Sequence, residues 1–460
     1  MIKKSLQLLL FASIILSVIG FFIVTKQLAP FFLIFTSILL LFQALITLIW
    51  MTYQWYDPET INTFKAQKSK PNSAQLSFSL LVPARHEAEV IGDTIKAIAQ
   101  IDYPNNKYEA LILCRQDDID TIVAVQTALD ELNQTNIRLV TFTGGPTNKA
   151  HSLNRGIAQA QYPVIGIFDA EDEPHRDILT IINNALIDSP ANAVQAGVQL
   201  MNYRSSWFSS LNVLEYFFWF RSGLVLFNKL TKATPMGGNT VFFRKVALEK
   251  IGGWSETCLT EDALVGIRLA SQKNRIKIMY DQDYVTQEET PPTLESFIKQ
   301  RTRWQQGFLQ ILFSDEWLKL PKLHQKLLVL FLVAQPLLLA SIFIILPINI
   351  LISFMLPVSI WLTLFTYLPF YFLLMILLIQ TIGLYEFTKT YNKEIGLRDL
   401  WALWAGFIPY LLVLGFASFR AVIRLTLQQT SWEKTVHTNA HRTLEKAKHL
   451  PGKLAWRGSL

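Results

Sequence analysis

Three groups of residues in this chain have types and spacings suited to chemistry. Gln300, Arg303 and Trp304 stand at i, i+3 and i+4, so one helix face would present an amide, a guanidinium and an indole together. A guanidinium there suits a diphosphate, which it can meet with parallel hydrogen bonds, and an indole offers a flat apolar face to a sugar ring. Upstream, Thr260-Glu261-Asp262 opens the helical pattern Ala263–Ala270. A carboxylate there could take a proton from a hydroxyl; equally, both acids could simply favour a helix start through the macrodipole. Farther upstream, the apolar run Val164–Phe168 ends in Asp169-Ala170-Glu171-Asp172. Carboxylates gathered at a sheet edge repel one another. A divalent ion bridging diphosphate oxygens would relieve that repulsion and stabilise a departing nucleotide.

Weaker signals lie around these. Leu81-Val82-Pro83-Ala84-Arg85-His86-Glu87 closes an apolar strand, and a plain strand-to-helix turn with Glu87 in the first helical turn also explains it. Asp117 and Asp118 follow Leu111-Ile112-Leu113-Cys114, as a ligand site or an exposed acidic turn. In Gly144-Gly145-Pro146-Thr147-Asn148-Lys149 the glycines allow close backbone approach and Lys149 could balance diphosphate charge; a solvent loop before a helix is the plainer reading. Gly237 and Gly238 would let backbone sit near a sugar, and Trp254, after Gly252-Gly253, is either a sugar platform or a core indole.

The elements that must position these residues follow from composition. Of 460 residues, 51% are hydrophobic, which leaves room for one sizeable globular domain plus membrane segments. Residues 5–25 and 29–51 are apolar blocks long enough to span a bilayer. Lys3 and Lys4 precede the first, so 1–52 reads as an uncleaved transmembrane hairpin starting and ending in the cytoplasm. Residues 53–76 read as a linker, and 77–320 as a soluble α/β domain. In that domain Phe78–Val82, Ala110–Leu113, Ile137–Phe142 and Val164–Phe168 look like buried parallel strands alternating with helices such as Glu89–Gln100 and Thr121–Asn133. Active sites of such sheets lie beyond the carboxyl ends of the strands. The aromatic-rich segment Trp207–Leu230 and the segment Leu294–Phe313 read as core helices or as amphipathic helices at the membrane face.

Apolar blocks return over 321–425, near 327–352, 355–385 and 400–424. Three spans would leave the tail outside, whereas the basic residues of 426–460 argue for a cytoplasmic tail, so one block, the first with its Pro336 and Pro347, is expected to be partly interfacial or re-entrant. The formal charge of +7 gathers at the ends of the apolar blocks, which fits anionic lipid rather than nucleic acid. Cys114 and Cys258 make no disulfide framework and no thiolate metal site.

In this order, between hydrophobic blocks, the motifs over about residues 77–435 resemble the membrane-embedded family 2 glycosyltransferases, the group that includes cellulose, chitin and hyaluronan synthases. The resemblance implies a GT-A (Rossmann-like) α/β catalytic domain inserted between transmembrane helices. It implies a cytoplasmic nucleotide-diphospho-sugar donor, a UDP-sugar favoured, and a multi-pass protein of the bacterial inner membrane. Pro83 and Glu87 would belong to the turn around the base and ribose, with His86 where Asn is frequent. Asp117 or Asp118 would meet the base, and Lys149 would lie near the nucleotide-sugar. Asp169 with Glu171, Asp172 or both would hold Mg²⁺ or Mn²⁺, with Glu at the second acid of an Asp-x-Asp pattern. Asp262 would be the general base, Glu261, Gln300, Trp304 and Trp254 would face the acceptor, and Arg303 the diphosphate. The tail sequence Trp432-Glu433-Lys434-Thr435-Val436-His437 is similar to one near the end of related bacterial enzymes. The implied activity is inverting transfer of a hexose or N-acetylhexosamine to a growing polysaccharide, with accessory export proteins possible as partners. A lipid-linked acceptor, or a catalytically dead scaffold, is the alternative.

Overall fold

The computed structural model describes residues 29–58, 74–132, 134–355 and 359–429, with 431, 433 and 442 beside them. The expected first membrane helix and most of the linker lie outside these residues. The strands are β1 (Phe78–Ala84), β2 (Tyr108–Arg115), β3 (Ile137–Phe142), β4 (Val164–Ile167), β5 (Ala193–Gln195), β6 (Val198–Leu200), β7 (Val241–Arg244), β8 (Ile276–Ile278) and β9 (Thr286–Glu288). Seven of them form one sheet in the order β3-β2-β1-β4-β7-β5-β8, and β6 pairs with β9. The first four are mutually parallel, as their unbroken apolar runs predict. β7 is antiparallel to both β4 and β5, so the sheet is mixed, which the sequence pattern did not disclose.

Alternation along β1 feeds two cores. Phe78, Leu80 and Val82 pack with Ile91, Ile95 and Ile98, while Leu81 packs with Leu153 and Ile157 on the opposite face. The helices are α1 (Ala29–Tyr56), α2 (Ile91–Ala99), α3 (Ile119–Leu132), α4 (Lys149–Gln159), α5 (Ile178–Ile187), α6 (Ser209–Phe218), α7 (Leu224–Thr231), α8 (Lys245–Lys250), α9 (Glu261–Ser271), α10 (Leu294–Leu312), α11 (Leu323–Met355), α12 (Ile360–Thr390) and α13 (Leu397–Thr426). α1 runs on to Tyr56, past the expected boundary at 52.

Among the described residues, four helices are long and apolar enough to cross a membrane: one before the domain and three after it. The ends of α1 and α12 are fastened to the segment α6–α7. Trp55 Nε1 donates to Glu386 at 3.0 Å, Arg221 pairs with Glu386 at 2.7 Å, and Lys229 pairs with Asp57 at 2.8 Å. Those charges explain why an aromatic-rich segment carries Arg221 and Lys229: they hold the catalytic domain to the membrane helices.

α13 differs from the other long helices in what it touches. Near its start Asp399 accepts from Arg204 at 2.8 Å. At its middle Tyr410 donates to Glu215 at 2.6 Å, and near its end Arg424 donates to Gln306 at 3.0 Å. From Asp399 to Arg424 a helix rises about 38 Å, and all three partners belong to the catalytic domain. The helix therefore runs along the domain rather than away from it. Trp401, Trp404, Ile408, Leu412, Phe416 and Ile423 form an exposed apolar stripe at helical spacing on its outer side.

α10 crosses the start of α9 at Gly307. A Cβ there would lie 2.6 Å from the Thr260 backbone nitrogen, so only glycine lets the two elements meet. We expect Gly307→Ala to cost about 1–3 kcal/mol through overpacking, read as a lowered midpoint in thermal unfolding of the solubilised protein.

Candidate active site

β1 ends in a turn whose conformation is set by acids from the next loop. His86 takes a left-handed backbone, φ 54°, a region that Asn, Asp and His enter more readily than other side chains. That preference gives a physical reason for His at this position. Asp118 is buried and accepts the His86 N–H at 2.6 Å, so it builds the turn. Asp117 stays exposed, paired with Arg85 at 2.8 Å and Arg115 at 3.2 Å. The hydrogen bond from Arg85, helped by Arg115, holds its carboxyl below the usual range. Of the two acids, Asp117 is the one open to solvent. Pro83 and Glu87 line the neighbouring cavity.

α4 delivers Lys149. Asn148 caps the helix by accepting the His151 N–H at 2.9 Å, which fixes Lys149 in the first turn. Its ammonium pairs with Asp169 and donates to the Gly238 carbonyl at 2.7 Å. Burial works against that charge, but Asp169, Asp262 and Glu261 outweigh it and raise the lysine above its ordinary pKa. Gly238 permits the approach, since a Cβ there would sit 2.8 Å from Asp262 Oδ2 and 3.0 Å from Lys149 Nζ.

The acidic turn after β4 divides its labour. Asp169 and Glu171 line the cavity. Asp172 does not: it is 0% exposed, one oxygen accepts the Asp169 N–H at 2.8 Å and the other accepts from Asn239 at 2.7 Å. Both Asp172 oxygens are thus engaged and hold the turn in shape, whereas Asp169 and Glu171 are the acids that face the cavity. Glu288, on β9, enters the same cavity. Burial, reinforced by Asp169, pushes Glu171 up to about 8. Burial with Asp172, Glu171 and Asp169 raises Glu288 well above the carboxylate range. Among the described residues no three His, Cys, Asp or Glu side chains converge into a closed metal cage. Two carboxylates beside an open cavity nevertheless fit Mg²⁺ or Mn²⁺, hard ions that take oxygen ligands and let substrate phosphates complete their coordination.

α9 and α10 close the site. Asp262 and Glu261 stand in the first turn of α9 and line the cavity together with Gln300, Arg303 and Trp304 from α10. Trp254 is placed otherwise than a sugar platform requires. It is 2% exposed, packs edge-on against Phe243, and donates its indole N–H to Asp262 Oδ1 at 3.1 Å. Its role is to hold the Asp262 carboxylate. Burial raises Asp262 to about 6, against the opposing pull of Lys149, and burial with the Asp262 charge takes Glu261 to about 8. Burial lowers the Arg303 guanidinium somewhat, although Glu261, Asp169 and Glu171 pull the other way.

Some working residues gave no sequence signal. Arg301 lies under the Trp304 ring, 4.8 Å from its centroid, and is held by Glu215 and Asn212. Tyr216 leans on the other part of that platform, 6.5 Å from Trp304. Arg442, one basic residue among several in the tail, is buried against the acidic turn. It donates to the Asp172 carbonyl at 2.6 Å, to the Glu171 carbonyl at 3.2 Å and to Thr94 at 3.0 Å. Of the tail motif, Glu433 is described, bound by Arg420 at 2.6 Å and Arg424 at 3.2 Å; its other residues lie outside the described set.

A mixed Rossmann-like sheet with acids beyond β4 and a carboxylate on α9, joined to long apolar helices, defines a GT-A-type glycosyltransferase domain. Residues 74–307 match the family model described as glycosyltransferase like family 2, and the chain belongs to that family. It is 25% identical over 249 residues to a probable glycosyltransferase, YdaM, of Bacillus subtilis, covering 53% of this chain and 58% of that protein. It is 26% identical to a beta-monoglucosyldiacylglycerol synthase of Synechocystis, over 52% of this chain and 49% of the relative. A poly-beta-1,6-N-acetyl-D-glucosamine synthase of Staphylococcus epidermidis is 22% identical, over 61% of this chain and 67% of that one. The chain thus spans about half the length of the first two. Among solved structures, a mannosyltransferase of Pyrobaculum calidifontis in complex with GDP-Man and Mn²⁺ aligns with a TM-score of 0.48 and 18% identity, covering 79% of this chain and all of the other.

Two measurements follow from the geometry. Trp254→Phe removes a hydrogen bond that lowers the Asp262 pKa, so the acid limb of kcat/KM against pH is expected to move to higher pH. The plateau should fall about tenfold, or ~1.4 kcal/mol in the barrier. Arg442→Ala should raise the Mn²⁺ concentration for half-maximal transfer by about 10- to 100-fold, the usual cost of removing a group that orients metal ligands. A purely structural role would instead lower the unfolding midpoint at every metal concentration.

Proposed function

We propose that the protein is an inverting hexosyltransferase that moves a hexose or N-acetylhexosamine from a nucleotide-diphospho-sugar, a UDP-sugar in the first instance, to an acceptor hydroxyl at the inner face of a bacterial inner membrane. One observation carries this reading. Asp262, oriented by Trp254 and beside Lys149, lines the same cavity as Asp169, Glu171 and Arg303. A base, a diphosphate-binding cation and a pair of metal-type acids therefore share one space.

In the reaction, the ionised Asp262 carboxylate takes the proton of the acceptor hydroxyl. The freed oxygen attacks the anomeric carbon from the side opposite the diphosphate. The bond from that carbon to the diphosphate oxygen breaks, and its electron pair leaves with the nucleoside diphosphate. The configuration inverts in one displacement and no covalent enzyme intermediate is needed. Arg303 and Lys149 supply positive charge towards the leaving diphosphate. A Mg²⁺ or Mn²⁺ ion held by Asp169 and Glu171 would add Lewis-acid charge at the same oxygens. The cluster of intact acids speaks against a dead scaffold.

The orientation we infer places the catalytic domain in the cytoplasm, with α1, α11 and α12 as spans. α13 lies in the membrane interface, its apolar stripe in lipid and its other side against the domain. That arrangement returns the basic tail to the cytoplasm and removes the conflict raised by counting three spans after the domain. The run Gln300–Trp304 resembles that of processive cellulose, chitin and hyaluronan synthases, which favours a growing polysaccharide as acceptor, with export proteins as partners. Transfer to a lipid acceptor uses the same geometry, and the two differ in what the space beneath the acids must hold.

The test is nucleotide release by the full chain in nanodiscs, against UDP- and GDP-sugars with Mn²⁺ or Mg²⁺. Asp262→Asn is expected to lower release by about 10²–10⁴-fold while donor binding, measured by calorimetry, is nearly kept. Because Asp262 must be ionised, the wild-type rate should fall as pH drops below about 6. Undiminished turnover in the Asn variant would sink the assignment of the base.

A further inference from the structure

The space that holds the catalytic acids does not end with them. A single cavity of about 1330 Å³ runs from Asp169 and Asp262 down between α1, α11, α12 and α13. Its polar lining changes with depth. On the three spanning helices the polar side chains that reach it are Gln43 and Thr47 of α1, Gln335 of α11 and Gln380 of α12. Past each glutamine, moving away from the catalytic domain, every lining residue on that helix is apolar: Leu40 on α1, residues such as Leu339, Ile342 and Leu346 on α11, and Leu373 and Ile376 on α12. The Oε1 atoms of Gln43 and Gln380 are buried and have no hydrogen-bond partner among the described residues. Polar groups inside a bilayer are costly and face a cavity or a ligand.

We propose that this cavity is the acceptor site, and that the acceptor is a lipid with a free hydroxyl head, ester-type oxygens at mid-depth and hydrocarbon chains. This rests on the transferase reading, since it is Asp262 that needs a hydroxyl to deprotonate. The head hydroxyl sits at Asp262 beside Trp304. The Nε2–H groups of the glutamines donate to the ester oxygens, which only accept; the orphaned Oε1 atoms take no part in that contact. The chains lie against the aliphatic walls of α1, α11 and α12. An extended glycan would carry a hydroxyl every few ångströms into a region whose walls offer no partner, and each would lose its water without replacement. A phosphate-headed lipid would bring a further anion into the end of the cavity where Lys149 and Arg303 already serve the donor diphosphate. The depth profile therefore favours the lipid acceptor over the growing polysaccharide suggested by Gln300–Trp304.

The experiment uses the full chain in detergent with the radiolabelled donor that supports nucleotide release. Three probes are offered separately: 1,2-dioleoylglycerol, a soluble chito- or cello-oligosaccharide, and decaprenyl phosphate. We expect label to follow dioleoylglycerol into the organic phase. Leu339→Trp and Ile342→Trp, which narrow the deep part, should raise its KM at least tenfold relative to that of the short-chain dihexanoylglycerol. Native mass spectrometry of the purified wild type should find a neutral lipid retained, independent of turnover. Label in a water-soluble polymer, on the oligosaccharide, or on decaprenyl phosphate in preference would overturn the acceptor assignment and leave the transferase reading intact. Equal effects of the two Trp variants on long- and short-chain acceptors would also overturn it. Failure of every donor to release nucleotide, with donor binding present, would remove the transferase reading and this inference with it.

Discussion

The constraint on which the structure turns is the crowding of like charge. Asp169, Glu171, Glu261, Asp262 and Glu288 reach one cavity, and burial alone would protonate most of them. Lys149 and Arg303 are the cations set among them. Lys149 bridges the two halves, being tied to the acidic turn through Asp169 and placed close to Asp262 by Gly238. The outcome is a separation of roles by environment: Asp262 near 6 remains ionised at neutral pH, while Glu171 and Glu261 near 8 retain protons in the absence of further positive charge. A carboxylate suited to act as a base then stands beside acids held in their protonated form, and a divalent ion, if held by Asp169 and Glu171, would favour the ionised form of Glu171.

That electrostatic arrangement dictates the scaffold around it. A base must be fixed against rotation, which Trp254 does from inside the core. An acidic turn must be held open on one side and closed on the other, which Asp172 does with Asn239 and the Asp169 N–H. Arg442 adds positive charge to the back of that turn, with its Nε 3.4 Å from Glu173. The acceptor platform Trp304 is set by a second buried charge pair, Arg301 with Glu215, and Tyr410 of α13 closes that pair at 2.6 Å. The helix lying under the domain is therefore linked by hydrogen bonds to the ring on which an acceptor would rest. The catalytic centre and the membrane face are one packed unit.

Much of this was legible in the sequence because it depends on local pattern. The four parallel strands were readable since each is a short apolar run, three of them buried on both faces and β3 half-buried at the sheet edge, and the first turn of α9 since acids at a helix start are locally favoured. Lys149 and Asp262 were singled out through the resemblance to family 2 glycosyltransferases, and both line the cavity. What escaped notice depends on contacts across long separations. Nothing in Gly253-Trp254 says whether the indole faces solvent or Asp262, and nothing in Asp169–Asp172 says which acid turns inward. Glu288 is brought to the site only by pairing of β6 with β9, two three-residue strands too short to declare themselves. The antiparallel β7 was hidden because a buried central strand reads alike in either direction. α13 shows a different limit: length and hydropathy measure fitness for lipid, and a helix with one apolar outer face and one face on the domain meets both measures whether or not it crosses.

The same distinction between composition and placement bears on the acceptor. Hydrophobic content near an active site is usually explained by the core, and here most of it is. The side chains lining the lower cavity differ because they flank space continuous with Asp262. Charged donors need the cation-lined end, where Arg303 and Lys149 stand among acids. A hydrocarbon chain needs the opposite end, where the glutamines stop. A substrate pair with one water-soluble and one membrane-borne member would meet at the head of that space, above the glutamines. Asp262 lines that end, at the first turn of a helix whose far side packs on α10 and the start of α11, through Leu264, Ile267, Ile311 and Val329. The same apolar packing fixes the geometry of this carboxylate.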